Sequence, residues 1–86
     1  MASYEIEITR TAERQLRKLS RTDQVRVAKA IVGLVEEPLP RGARKLTGYD
    51  DVYRIRVGAF RILYSHTRKR LVILILKIGH RREIYR

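Results

Sequence analysis

Two runs with a period of two, Val52–Val57 and Phe60–His66, flank the dipeptide Gly58-Ala59. Glycine at the first of two loop positions fits a type II′ hairpin turn, whose twist matches that of paired strands. A two-residue loop leaves one register: Val57 opposite Phe60, Arg56 opposite Arg61, Ile55 opposite Ile62, Arg54 opposite Leu63 and Tyr53 opposite Tyr64. Side chains alternate along a strand, so Tyr53, Ile55, Val57, Phe60, Ile62 and Tyr64 share one face and Arg54, Arg56 and Arg61 share the other. The first face needs a partner layer. The second is a patch of guanidiniums.

The rest of the chain supplies that layer. Tyr4 to Ile8 alternates apolar and acidic residues, a half-buried strand with Tyr4, Ile6 and Ile8 facing in and Glu5 and Glu7 on an exposed edge. Thr9 or Thr11 can cap a helix near 11–19, with Ala12, Leu16 and Leu19 on its apolar side. Ser20 and Asp23 approximate a capping box for a second helix, which Val27, Ala28, Ile31, Leu34 and Val35 carry to about Glu37, where Pro38 stops it. Residues 38–50 hold Pro38, Pro40, Gly42 and Gly48 without a period and read as a loop. Leu71 to Ile78 is apolar on both faces, as a strand in mid-sheet is, and Gly79 ends it before a basic tail from His80 to Arg86. The expected fold is α+β: an N-terminal strand, an antiparallel helical hairpin, then a three-stranded antiparallel meander. These form one mostly antiparallel sheet in a single domain, residues 1–86. Tyr53, Tyr64 and His66 read as core or structural residues.

Composition narrows the function. The net charge of +11 is uneven: residues 1–37 carry +1 and residues 38–86 carry +10. Such a field attracts nucleic acid, an anionic surface or an acidic protein. There is no cysteine, which excludes disulfides and thiolate-ligated metals. No Asp/Glu/His set has metal-ligand spacing, no glycine-rich phosphate loop is present, and no cofactor is expected. The apolar run Leu71–Leu76 is too short to cross a bilayer, and the first residues lack the pattern of a signal peptide. A cytoplasmic protein without membrane contact is the expectation.

Arg54, Arg56 and Arg61 converge, and like charges opposite each other on a sheet are destabilising by up to about 1 kcal/mol. Guanidinium forks match phosphate oxygens and stay charged at physiological pH. The patch therefore points to a phosphate ligand. Arg41, Arg44 and Lys45 in the loop, Arg68, Lys69 and Arg70 at a hairpin tip, and Arg82 and Arg86 in the tail are further candidate nucleic-acid contacts.

Several segments in order carry a family likeness: Ala43-Arg44-Lys45-Leu46-Thr47-Gly48, Val52-Tyr53-Arg54-Ile55-Arg56-Val57-Gly58, Phe60-Arg61-Ile62-Leu63-Tyr64, and Ile78-Gly79-His80-Arg81-Arg82-Glu83-Ile84-Tyr85-Arg86. Over nearly its whole length the chain resembles the RelE/ParE superfamily of toxins from bacterial toxin–antitoxin pairs. Its basic cluster resembles the RelE branch, the messenger-RNA interferases. That resemblance implies a RelE-like, microbial-RNase-type fold and a metal-independent endoribonuclease acting in the ribosomal A site. The ribose 2′-OH attacks the adjacent phosphate and the 5′-oxygen leaves. It implies as partners the ribosome, with its rRNA and mRNA, and a cognate acidic antitoxin, through which alone operator DNA is reached. It assigns Arg54 and Arg56 to phosphate orientation, Arg61 to phosphorane charge, Arg81 to the leaving oxygen and Tyr85 to base stacking or proton movement. Well-known RelE members have lysine where this chain has Arg54 and Arg56, so the general base is left open, with His80 beside the cluster as one candidate. Alternatives are a non-catalytic toxin of the same fold that poisons gyrase as ParE does, an RNA- or ribosome-associated phosphate binder, and a structural ribosomal or nucleoid protein.

Overall fold

The computed structural model describes residues 4–67 and 69–80. Seven elements follow one another: β1 (Glu5–Ile8), α1 (Arg10–Arg17), α2 (Arg21–Gly33), β2 (Arg44–Lys45), β3 (Val52–Val57), β4 (Phe60–His66) and β5 (Val72–His80). The strands form one sheet in the order β1-β5-β4-β3-β2. β1 runs parallel to β5, and the other pairs are antiparallel. Among the described residues, no helix is long and apolar enough to cross a membrane.

Both helices start where side-chain oxygens meet unsatisfied N–H groups. Thr9 caps α1 by accepting from the Ala12 N–H at 3.1 Å, and Ser20 caps α2 by accepting from the Asp23 N–H at 3.2 Å. Gln24 secures the link between the helices by donating to the carbonyls of Arg17 and Leu19, each at 3.1 Å. The second helix ends at Gly33, short of the expected Glu37. Glycine is a poor helix former, and past it Leu34 and Val35 close i→i−3 bonds to Ile31 and Val32, so the chain tightens and leaves the helix.

Ala12, Val27, Ile31 and Leu34 of the helical layer pack on Ile55, Ile62, Tyr64, Ile73, Ile75 and Ile78 of the sheet. The hairpin register is the expected one throughout, from Val57 opposite Phe60 to Tyr53 opposite Tyr64. Gly58 takes φ +59 while Ala59 stays out of the positive region, the combination a type II′ turn needs. Tyr4 and Ile6 pack against the core as expected, but Ile8 is 37% exposed at the sheet edge. The 38–50 loop contains the two-residue strand β2, which pairs with Tyr53 and Arg54.

β5 departs from expectation twice. It does not end at Gly79, because β4 extends far enough to pair Arg61 with Gly79 and Phe60 with His80. It is also bulged: Tyr64 faces Ile75 but its neighbour Leu63 faces Lys77, which leaves Leu76 unpaired. The bulge is held from α1. The Thr9 N–H donates to the Ile75 carbonyl at 3.0 Å, the Thr9 hydroxyl donates to the Leu76 carbonyl at 2.9 Å, and the Ile78 N–H donates to Gln15 Oε1 at 2.7 Å.

Tyr64 has no exposed surface, and its hydroxyl donates to the Pro38 carbonyl at 2.6 Å. Burial, with Tyr53 alongside as a smaller cause, pushes its pKa from 10.0 up to about 12. The folded state therefore holds this proton more tightly than the unfolded chain does. Its contribution to stability is complete below about pH 10 and is lost as pH rises toward 12, about 2–3 kcal/mol in all. Thermal melts between pH 8 and pH 12 (about two units either side of the unfolded phenol's pKa) are expected to fall steeply for the native chain. The fall should be shallower for Tyr64→Phe, which lacks the phenol proton.

Candidate nucleic-acid interface

Residues opposite each other on neighbouring strands share a face, so the register assigns every side chain of the sheet to a side. The helix side holds Lys45, Tyr53, Tyr64 and Ile75 in one row, Ile55, Ile62 and Ile78 in the next, and Val57, Phe60 and His80 at the hairpin end. The opposite side holds the row Arg44, Arg54, Leu63 and Lys77, followed by the row Arg56, Arg61 and Gly79. Neighbouring strands lie about 4.8 Å apart and same-face residues of one strand about 7 Å apart. Five cations thus occupy two adjacent rows of one sheet face. The expected convergence of Arg54, Arg56 and Arg61 is present, and Arg44 and Lys77 extend it.

At one end the patch turns around the sheet edge. β2 covers only the first part of β3, and beyond it a groove of about 470 Å³ opens between β3, the end of α2 and the 38–44 loop. Arg41, Arg44, Arg54 and Arg56 line it, with Gly33 and Gly42 leaving open space in its walls. Glu37 also lines this groove. It is a carboxylate near the arginines that the sequence pattern did not reveal, because it was expected in the last turn of the helix. At the other end, next to Lys77, a hollow of about 550 Å³ is lined by Leu46, Val52, Leu63 and Leu76, with Tyr49 61% exposed at its rim.

The remaining expected residues are spread more widely. Lys45 alternates to the helix side of β2, away from Arg44. Lys69 and Arg70 lie at the β4–β5 turn, at the far end of the sheet from Arg61, around a depression shared with Asp51, Tyr53 and His66. His80 pairs with Phe60 rather than with an arginine, and the two rings meet edge to face with centroids 5.2 Å apart. It therefore stands on the opposite side of the sheet from Arg61, not beside the cluster. The cause is that β5 continues past Gly79, which takes the place on the arginine side. His66 is buried against Tyr4 and Tyr53, with ring centroids 5.1 and 6.3 Å away, in keeping with a structural role. Arg68, Arg81, Arg82, Tyr85 and Arg86 lie outside the described residues. Among the described residues, no group of three His, Cys, Asp or Glu side chains is arranged to hold a metal.

Lys77 is the cation of this face that the sequence pattern did not reveal. In an unbroken period of two it shares the side of Ile73 and Ile75, and only the bulge moves it to the arginines. The signal was the spacing of the isoleucines: Ile73, Ile75 and Ile78 are all buried, at steps of two and then three.

What this face can do follows from its composition. It has fixed positive charge and an apolar hollow alongside. That suits a single-stranded polyanion carrying flat apolar bases. Removing one phosphate-binding cation should flatten the salt dependence of RNA binding by about 0.7 in log–log slope. Fluorescence anisotropy with a short single-stranded RNA is expected to show this for Arg54→Gln and Arg56→Gln. The slope should not change for Lys29→Gln, which removes an exposed charge from α2.

Known proteins share this fold. The family described as "ParE toxin of type II toxin-antitoxin system, parDE" matches residues 6–85. Toxin RelG of Mycobacterium tuberculosis is 34% identical, covering 96% of this chain and 97% of that one. The archaeal RelE–RelB complex from Pyrococcus horikoshii superposes with a TM-score of 0.80 at 31% identity, over 94% of this chain and 98% of the other. The isolated E. coli RelE toxin gives 0.79 at 25% identity, over 91% and 84%.

Proposed function

The chain belongs to the ParE toxin family of type II toxin–antitoxin systems, and from that premise we propose that it is a RelE-type endoribonuclease cutting messenger RNA in the ribosomal A site. The observation that carries the reading is the pair of cationic rows on the helix-free sheet face, centred on Arg54, Arg56 and Arg61.

Cleavage is attack of a ribose 2′-oxygen on the adjacent phosphorus, with departure of the 5′-oxygen. Arg54 and Arg56 hold the phosphate and bring positive charge near the 2′-OH. Arg61, half-buried between them and Gly79, is fixed well enough to balance charge that grows on the phosphorane, as oxyanion-hole donors do. Arg81 and Tyr85 are assigned by family likeness to the leaving oxygen and to base stacking. Arg41 and Arg44 continue the phosphate track around the β3 edge. Lys45, Arg68, Lys69, Arg70, Arg82 and Arg86 are the remaining contacts for ribosomal RNA. The inhibitor is an acidic antitoxin of the RelB kind, as in the solved complexes of relatives, acting by covering the arginine rows or by displacing the segment after His80.

The test is primer extension on a defined message, with and without programmed ribosomes. Cuts confined to the A-site codon and dependent on ribosomes are expected. Arg61→Ala should lower the cleavage rate about 10²–10³-fold while ribosome binding persists. Cuts on naked RNA would replace the ribosome-dependent reading with a free ribonuclease. No cuts, together with blocked replication on expression, would move the function to gyrase poisoning.

A further inference from the structure

Departure of the 5′-oxygen needs a proton as well as charge compensation. Guanidiniums supply the second and, in practice, not the first. The two described histidines are on the helix side of the sheet. The arginine face holds one described cation of another kind, Lys77, and the fold goes to some length to put it there.

We propose that Lys77 is the proton donor to the leaving 5′-oxygen, an inference that rests on the endoribonuclease reading. Lys77 lies opposite Leu63, and two residues further along β5 Gly79 lies opposite Arg61. Lys77 and Arg61 are therefore diagonal neighbours on one face, within mutual reach for long side chains. Gly79, opposite Arg61, adds no side chain to this face. Lys77 lines the adjoining hollow with Leu63 and Leu76. Lys77 is half-buried. Its position depends on a bulge held by Thr9 and Gln15 at residues 75, 76 and 78, on both sides of it. Bulges beside active sites serve to re-aim one side chain, and Lys77 is the side chain this one re-aims.

In the step, the 2′-oxygen bonds to phosphorus and its proton passes to solvent water. The bond from phosphorus to the 5′-oxygen breaks, and its electron pair stays on that oxygen. The Lys77 ammonium gives the oxygen a proton. The products are a 2′,3′-cyclic phosphate and a 5′-hydroxyl, and the neutral amine regains a proton from solvent.

A bridging sulfur in place of the scissile 5′-oxygen leaves as a thiolate and needs no proton. Single-turnover cleavage is measured on programmed ribosomes with the oxygen and sulfur messages, for the native chain, Lys77→Arg and Lys77→Met. Lys77→Arg keeps the charge and the length. Both variants are expected to cut the oxygen message about 10²–10⁴-fold more slowly and the sulfur message within a few-fold of the native chain. Equal slowing on both messages would overturn the proposal, since a positioning cation or a damaged fold affects both alike. Native rates on the oxygen message would overturn it too. A native chain that cuts neither message would instead defeat the endoribonuclease reading, and this inference with it.

Discussion

Thr9 is the residue on which the arrangement turns. Its N–H bonds the Ile75 carbonyl, its hydroxyl donates to the Leu76 carbonyl, and the same oxygen accepts from Ala12. One side chain thus ends β1, starts α1 and clamps β5 where β1 no longer covers it. Gln15, one and a half turns on, takes the Ile78 N–H. Between these anchors β5 slips by one residue. Ile78 then enters the core, where it is 1% exposed, and Lys77 leaves it. Without the slip, a lysine would point into the helix-side core and an isoleucine into the arginines. Burying an uncompensated charge costs several kcal/mol, far more than a distorted ladder does.

The arginine face is made possible by the other face of the same strands. Arg56 opposite Arg61 costs at most about 1 kcal/mol. Ile55, Ile62 and Tyr64 are buried behind them, and each contributes roughly 1.5–3 kcal/mol. Packing therefore dictates the register, and the pairing of the two arginines follows from it. Tyr64 links the two sides. Its hydroxyl holds the Pro38 carbonyl, and so anchors the start of the loop that brings Arg41 and Arg44 to the β3 edge. A core residue thereby helps to shape a groove that four arginines line.

The hairpin was legible because a two-residue turn with glycine first leaves one register, and the register alone separates the core residues from Arg54, Arg56 and Arg61. The helix starts were legible because Thr9 and Ser20 are local caps. The bulge was not, since its bonds join residues more than sixty apart in sequence. The misplacement of His80 has a related cause. Gly79 reads locally as a stop, but the opposite strand decides where β5 ends, and pairing with Arg61 and Phe60 carries it on. The short α2 and the presence of Glu37 in the groove likewise depend on how Gly33 is placed. Charge and period were enough to find the face, while tertiary hydrogen bonds decided which further side chains joined it.

The matching family bears the name of ParE, while the relatives that superpose well are RelE toxins. Backbone geometry does not separate these activities, since one fold carries both. On the proposed reading, the side chains of the helix-free sheet face do. Arginines alone give a surface that holds phosphates, because a guanidinium stays charged and is a poor acid in the pH range of the cell. In that reading a lysine brought in by a bulge adds what a holding surface lacks, a transferable proton. It lies on β5, next to the hairpin that supplies the charge. The proposed step from holding RNA to cutting it thus rests on one position of one strand.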